Sequence, residues 1–523
     1  MVNKNTRLSI LLGFAFVVIC FLPIIKSGLY SDDLANFQLS VNDDHVSVLQ
    51  RAIPSINSTK ATGRYTPLSF IWMAFVFKYF ITILNYKILV FTMNLLAVIV
   101  FITYLSALKL KINQGIWLLC FGSVVQFRIW YHDAYTSFNG MYQLLAIFVF
   151  VTLIFYGHYL IKRKAWLLTV STFFFICSVL TSEVGLVALL LVPVTALMLK
   201  IPFRKWISSS LLYILIAFIY LGYTAWLRNN VLEKDMYIGL KASYDLPAML
   251  ELLGEQMFAS LPLSNLYDQE AIPIRVFHEL VDIKNLLSVF ALFLIGYFIL
   301  RNNRAHEPIQ SKNFDPGYIL FSLALMIFPA IFILPSAKYQ DEVGLGIGYL
   351  PVFIQNFGSA TLFACLFEYC FENRKLAVRW GSDIIFGFVL LSTSIAFLFN
   401  NSLINARSFK VSFPAQVLYN SIKGGILQDC KGNSTIVLGS DYYYQSPQTY
   451  SYLFTNFTGK YFKVYDEGTD FMVTDSSDCY FLNCPPGKKV IVSLFKMNCA
   501  QNEEKVLIKK VEVDCDIDII NED

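Results

Sequence analysis

The sequence predicts an α-helical polytopic membrane protein of about 11 spans plus an interfacial helix, ending in a small C-terminal α/β extracytoplasmic domain. Three observations carry that expectation. The 523 residues are 56% hydrophobic and only 15% charged, with a mean hydropathy of +0.55. A soluble chain of this length cannot hide that much apolar surface. Apolar runs recur along the first 400 residues, near 8–25, 67–84, 87–108, 114–131, 139–160, 165–181, 184–199, 207–226, 286–300, 317–334, 349–371 and 382–399. Beyond them the pattern changes to short alternating segments of the kind that form strands. The net charge of +4 reflects loop bias and gives no nucleic-acid surface.

The first run follows Lys4 and Arg7. It is longer than a signal-peptide core and no small-residue cleavage site follows, so it is expected to stay as the first span. Basic clusters then fall at every second junction: Lys109/Lys111, Lys162-Arg163-Lys164, Arg204-Lys205, Arg301/Arg304 and Arg374-Lys375. The positive-inside tendency places all of them on the cytoplasmic side only if one early run fails to cross. The run 67–84 suits that role. It opens with Pro67, carries Lys78 and meets the next run through an Asn85-Tyr86 joint, so it is expected to lie at the outer interface or dip partway in. The N-terminus is then inside and the C-terminus outside.

This topology sorts the polar residues. Asp32 and Asp33, in Gly28-Leu29-Tyr30-Ser31-Asp32-Asp33, emerge at the outer surface directly after the first span, with Asp43 and Asp44 further along the loop. Gly63-Arg64-Tyr65-Thr66-Pro67 closes it. Asp133 lies in the second outer loop beside His132, and Arg128 near the outer end of the preceding run. Glu183 sits in a short outer joint, a large outer loop covers 227–285, and a later one carries Lys338-Tyr339-Gln340-Asp341-Glu342. The cytoplasmic joints are short and basic, so any chemistry faces outward.

The domain boundary is expected between the membrane domain, 1–401, and the extracytoplasmic domain, 402–523. An amphipathic helix is expected over 416–427, and strands around Thr435-Ile436-Val437-Leu438, Lys489-Val490-Ile491-Val492-Ser493-Leu494 and Lys505-Val506-Leu507-Ile508. Five of the ten cysteines lie here: Cys430, Cys479, Cys484, Cys499 and Cys515. An oxidising compartment allows up to two disulfides with one thiol left over. Their spacing fits no zinc template, and no histidine accompanies them. Tyr442-Tyr443-Tyr444 and Tyr450/Tyr452/Phe454 could stack on sugars, though aromatic strands usually form core.

The acidic pair after the first span, the Pro-opened interfacial helix, the acid in the next outer loop and the terminal outer domain together resemble the GT-C superfamily of polytopic glycosyltransferases. Within it, Ser31-Asp32-Asp33 followed by Gly63-Arg64-Tyr65-Thr66-Pro67 resembles the serotype-converting O-antigen glucosyltransferases. The resemblance covers roughly residues 1–200. It implies a multi-pass protein of the bacterial inner (cytoplasmic) membrane, with its active site facing the periplasm. The implied reaction moves a sugar, a hexose such as glucose, from a polyprenyl-phosphate carrier to an acceptor glycan such as O-antigen in lipopolysaccharide, with inversion. Asp32 or Asp33 then corresponds to the first catalytic acid and Asp133 to the second. Asp341 or Glu342 is a loose match for a third.

That reaction needs a carboxylate to take the acceptor hydroxyl's proton and cations to meet the leaving phosphate. Asp32 or Asp33 suits the first task and Arg64, whose fork matches phosphate oxygens, the second. Arg64 could equally be a solvated loop charge. Arg128 and Lys338 could also reach phosphate, or Arg128 could snorkel to the interface. Glu183 could orient a partner or cap its turn. No cofactor is required, although a divalent metal is left open, and His132 beside Asp133 is read as a plain loop residue. Gly344-Leu345-Gly346-Ile347-Gly348 lacks the strand-to-helix setting of a nucleotide loop. The competing readings are an O-antigen polymerase or ligase and a lipid-linked glycan transporter. The first typically lacks the early acidic pair, and the second uses repeated halves and intramembrane charge.

Overall fold

The computed structural model describes residues 4–29, 33, 36, 46–80, 82–108, 112–128, 133–232, 236, 238–267, 279–304, 317–372, 376–407, 417–418, 421–422, 424–438, 451, 454–455, 458–466, 479–483, 489–497 and 505–514. They divide into two compact units. The first is Met1–Ile25, Ser47–Phe75 and Lys87–Ser402; the second is Lys26–Val46, Val76–Tyr86 and Leu403–Asp523.

The helices are α1 (Lys4–Lys26), α2 (Val48–Ala61), α3 (Pro67–Tyr79), α4 (Ile83–Ala107), α5 (Gln114–Ser123), α6 (Met141–Lys162), α7 (Ala165–Thr181) and α8 (Val187–Met198). They continue with α9 (Phe203–Asn229), α10 (Leu246–Ala259), α11 (Ile283–Arg304), α12 (Gly317–Ile331), α13 (Ala337–Glu342), α14 (Val352–Glu372) and α15 (Leu376–Arg407). Among the described residues, six stretches are long and apolar enough to cross a membrane: Arg7–Lys26, Ile83–Ala107, Phe138–Lys162, Phe203–Asn229, Ile283–Asn303 and Trp380–Asn405. Shorter apolar helices account for Pro67–Tyr79, Ala165–Thr181, Glu183–Met198 and Gly317–Ile331. The chain is a polytopic α-helical membrane protein with a small strand-bearing C-terminal region. In the first unit Phe101, Trp117, Phe121, Phe150 and Phe357 form a continuous aromatic core, with ring centroids 4.8–6.1 Å apart.

Three expectations about the helices are corrected. The helix Pro67–Tyr79 is followed by one that already starts at Ile83, so the break does not fall at Asn85-Tyr86. Thr82 Oγ1 accepts the Asn85 N–H at 3.1 Å and so starts the next helix, which draws Asn85, Tyr86 and Lys87 into its first turns. The run 114–131 is helical only over Gln114–Ser123, about 15 Å at 1.5 Å per residue. Beyond it the buried non-helical stretch 125–128 has backbone groups satisfied from outside. Asn400 accepts from Phe127 N–H at 2.9 Å and donates to Val125 C=O at 3.0 Å. Non-helical chain is tolerated at depth only with such partners. The loop 227–285 carries a helix of its own, Leu246–Ala259. Its Leu252 packs with Ile333, Leu334 and Tyr339.

In the second unit five strands, β1 (Ser434–Leu438), β2 (Phe462–Asp466), β3 (Cys479–Asn483), β4 (Lys489–Met497) and β5 (Lys505–Asp514), form one mixed sheet of order β2-β1-β3-β4-β5. β1 runs parallel to both neighbours and every residue of it is buried, as parallel strands require. β3, β4 and β5 are antiparallel, with a register shift at Leu494/Phe495. β2 and β3 escaped sequence reading because each is only five residues long, too short to show a strand period on its own. The helix expected over 416–427 is shorter: Ile422 is helical, whereas 424–429 is turn around Gly425 at φ +81°. Phe454 is helical, buried, and packs edge-on against Phe462; Tyr442, Tyr443, Tyr444, Tyr450 and Tyr452 lie outside the described residues. Cys430 is a buried free thiol; Cys484, Cys499 and Cys515 also lie outside them.

Candidate functional site

In the second unit the acid after the first helix is buried. Asp33 is 1% exposed, and the Tyr86 hydroxyl donates to its Oδ2 at 2.5 Å. Tyr86 is itself fully buried and stacked on Phe77 at 5.5 Å, so it fixes the plane of the carboxylate. Asp32, Asp43, Asp44 and His132 lie outside the described residues.

In the first unit residues 124–128 and 133–137 are all buried and carry a polar cluster. Asp133, 1% exposed, accepts from Tyr135 N–H at 2.9 Å, from Thr136 Oγ1 at 2.9 Å and from Arg128 N–H at 3.2 Å. These contacts make it the organiser of its own turn. Arg128 is buried as well. Its guanidinium donates to Gly346 C=O at 2.7 Å, to Ala259 C=O and to Ser264 Oγ at 3.5 Å. Gln126 ties the same loop, donating to Leu261 C=O at 2.7 Å and accepting from Asn265 N–H at 3.0 Å. The Gly-rich loop takes part through shape. Gly346 has φ +85°, and a Cβ there would fall 2.5 Å from Ser264 C=O, so only glycine lets the chain approach Arg128 this closely.

Arg64 and Glu183 come together elsewhere in the first unit as a half-buried ion pair at 3.5 Å, their side chains 28% and 23% exposed. Gly63, at φ +86°, turns the chain into Arg64. Ser182 caps the turn that carries Glu183, accepting from Val184 N–H at 3.3 Å. Tyr220 donates to Tyr65 C=O at 3.2 Å, and Tyr65 meets Tyr223 edge-on at 4.9 Å. Lys338 pairs with Glu342 one helical turn on, at 3.7 Å. Among the described residues no three His, Cys, Asp or Glu side chains gather as a metal-ligand set.

Sequence reading missed two residues. Tyr86 was read as part of a joint, and its hydroxyl donates to Asp33. Lys87 is fully buried near the start of a membrane-length helix, and its Nζ donates to Thr136 C=O at 2.6 Å. A lone cation in an apolar run was the available signal.

No protein-family model and no curated protein sequence matches this chain. The crystal structure of ArnT from Cupriavidus metallidurans bound to undecaprenyl phosphate is similar at 10% identity and a TM-score of 0.38, over 90% of this chain and 92% of that one.

Proposed function

We propose that the chain is a GT-C type glycosyltransferase that moves a sugar from a polyprenyl-phosphate carrier to a cell-surface glycan on the outer face of the membrane. The observation that supports it most is the setting of Asp33, a buried carboxylate shortly beyond the first membrane-length helix and oriented by the Tyr86 hydroxyl. In this reading Asp33, or its neighbour Asp32, takes the proton of an acceptor hydroxyl as that oxygen attacks the anomeric carbon. The bond from that carbon to the phosphate oxygen breaks, the electron pair leaves with the phosphate, and the configuration inverts. Arg64, braced by Glu183, offers a positioned guanidinium to the charge that builds on phosphate. Asp133, already accepting three hydrogen bonds, shapes its loop and leaves proton transfer to the first acid. Lys87 holds that loop's backbone. The proposed acceptor is O-antigen, and the proposed site faces the periplasm of a bacterial inner membrane.

The test is modification of the acceptor glycan in cells lacking the native protein, normalised to protein level. Asp32→Asn or Asp33→Asn is expected to lose about 10²–10⁴ in rate, the usual contribution of a general base. Asp43→Asn and Asp44→Asn should stay active. Wild-type rates for both single variants at 32 and 33 would overturn the assignment.

A further inference from the structure

The turn between Asp133 and α6 holds a strained segment that the proposed reaction does not use. Phe138, Asn139 and Gly140 stand in succession at φ +59°, +46° and +72°. Glycine takes that region freely and asparagine tolerates it, but for a bulky side chain it is an outlier. Such backbone persists only where its surroundings over-determine it. Ser137 donates from its N–H and its Oγ to Asp133 C=O, at 3.0 and 2.5 Å. Trp72 Nε1 donates to Asn139 C=O at 2.8 Å, and Met141 N–H closes on Phe138 C=O.

Burial does not account for a phenylalanine at this place. Residues 133–137, 139 and 140 are all buried, whereas Phe138 is partly exposed. A ring left partly exposed gains less from burial than a core phenylalanine does. It meets Tyr142 edge-on, with centroids 6.1 Å apart. Trp72 is also partly exposed and stacks at 5.6 Å on Phe75, which is 37% exposed. The strained turn thus sets one aromatic ring out of an otherwise buried segment and ties the following residue to an aromatic pair on α3.

We propose that Phe138 is a stacking platform for a sugar, the C–H face of a hexopyranose lying on the π face of its ring. The inference rests on the glycosyltransferase reading and adds a binding residue to it. An interfacial aromatic anchor works at its depth in any ring orientation, so contact with lipid gives no reason for strained backbone. A pyranose offers one flat C–H face rimmed by hydroxyls, and it needs a ring of fixed plane with polar groups at its edge. Ser137 and Asn139 flank Phe138 in the chain. Trp72, which holds Asn139, is a positioning residue. The sugar ring has two sources, the carrier-linked donor and the acceptor glycan.

The experiment measures binding to the full chain in phosphatidylcholine nanodiscs. The probes are glucose linked to undecaprenyl phosphate, bare undecaprenyl phosphate, and the polysaccharide freed from lipopolysaccharide by mild acid. Phe138→Asn suits the backbone and lacks the ring, so it should hold or raise the melting temperature. It should weaken one sugar-bearing probe about fivefold, the scale of one aromatic contact, and leave the bare carrier unchanged. Loss on the glucose-linked carrier assigns the platform to the donor, and loss on the polysaccharide assigns it to the acceptor. Phe138→Tyr keeps the ring and should bind as wild type. Trp72→Phe removes the donor to Asn139 and should give a smaller loss on the same probe. Equal weakening of bare and glucose-linked carrier would make Phe138 a lipid contact and overturn the proposal. Wild-type affinity of Phe138→Asn for all three probes, or a melting temperature well below wild type, would overturn it too. A wild-type protein that binds neither sugar-bearing probe would remove the glycosyltransferase reading, and the proposal with it.

Discussion

Arg128→Met is expected to destabilise the membrane unit by about 2–5 kcal/mol. The guanidinium is buried and serves Ala259 C=O, Gly346 C=O and, at longer range, Ser264 Oγ. Methionine fills comparable volume but donates to none of them. Each buried carbonyl stripped of its partner costs about 1–3 kcal/mol. Loss of the buried charge returns part of that cost, because desolvating a guanidinium was itself unfavourable. Arg128→Lys keeps the charge but reaches one carbonyl where the fork reached two, so it should fall about midway. The comparison is Arg64→Met, which breaks only a half-buried pair at 3.5 Å and should cost about 1 kcal/mol or less. The assay is the temperature at which detergent-solubilised protein loses its monodisperse peak in size-exclusion chromatography. Arg128→Met should melt well below Arg64→Met, with Arg128→Lys between Arg128→Met and wild type. If Arg128→Met melts with wild type, the three-loop anchoring deduced from these contacts is wrong.

The remaining predictions follow from single contacts. Tyr86→Phe removes the donor to Asp33 without changing the ring's stack on Phe77; it should lower acceptor-glycan modification severalfold while protein level holds, and unchanged activity would separate Asp33 from the chemistry. Gly346→Ala places a Cβ 2.5 Å from Ser264 C=O at φ +85° and should lower the melting temperature, whereas Gly222→Ala, with open space around it, should leave it within experimental error. Burial pushes the Cys430 thiol up to about 12 from an ordinary 9. Its proton is therefore held in the folded state over a window where the unfolded chain releases it. The stability this supplies is fully present below pH 9 and is lost as the pH climbs towards 12. Maleimide at neutral pH should leave Cys430 unlabelled until the protein is denatured, and labelling of the native protein would contradict its burial.

The fold was legible where the bilayer imposes a local rule, and the site where a local rule ended was not. Each apolar run contains a helix because backbone groups in lipid must bond within their own segment, and that demand is written in consecutive residues. The exceptions are instructive. Val124 to Arg128 reads as a continuation of its apolar run, yet it leaves the helix because Asn400 and Asn265, far along the chain, supply the hydrogen bonds that the helix would have supplied. Nothing in the residues around 125 announces those partners. Arg64 and Glu183 were each recognisable as polar groups in outer joints, but their pairing required packing across more than a hundred residues. Arg128 was read as a cation with two surface fates, phosphate or interface, because its three acceptors come from residues 259, 264 and 346. The buried Lys87 was hidden for the opposite reason. Thr82 starts its helix earlier than the apolar pattern indicates, which turns an expected joint into the first turns of a helix. A cation placed there goes inward, to a carbonyl of the Asp133 loop. The polar groups that the sequence marked as reactive in unit 1 are thus partly consumed in holding irregular chain at depth. The proposed chemistry therefore turns on Asp33, which is buried and accepts from the Tyr86 hydroxyl.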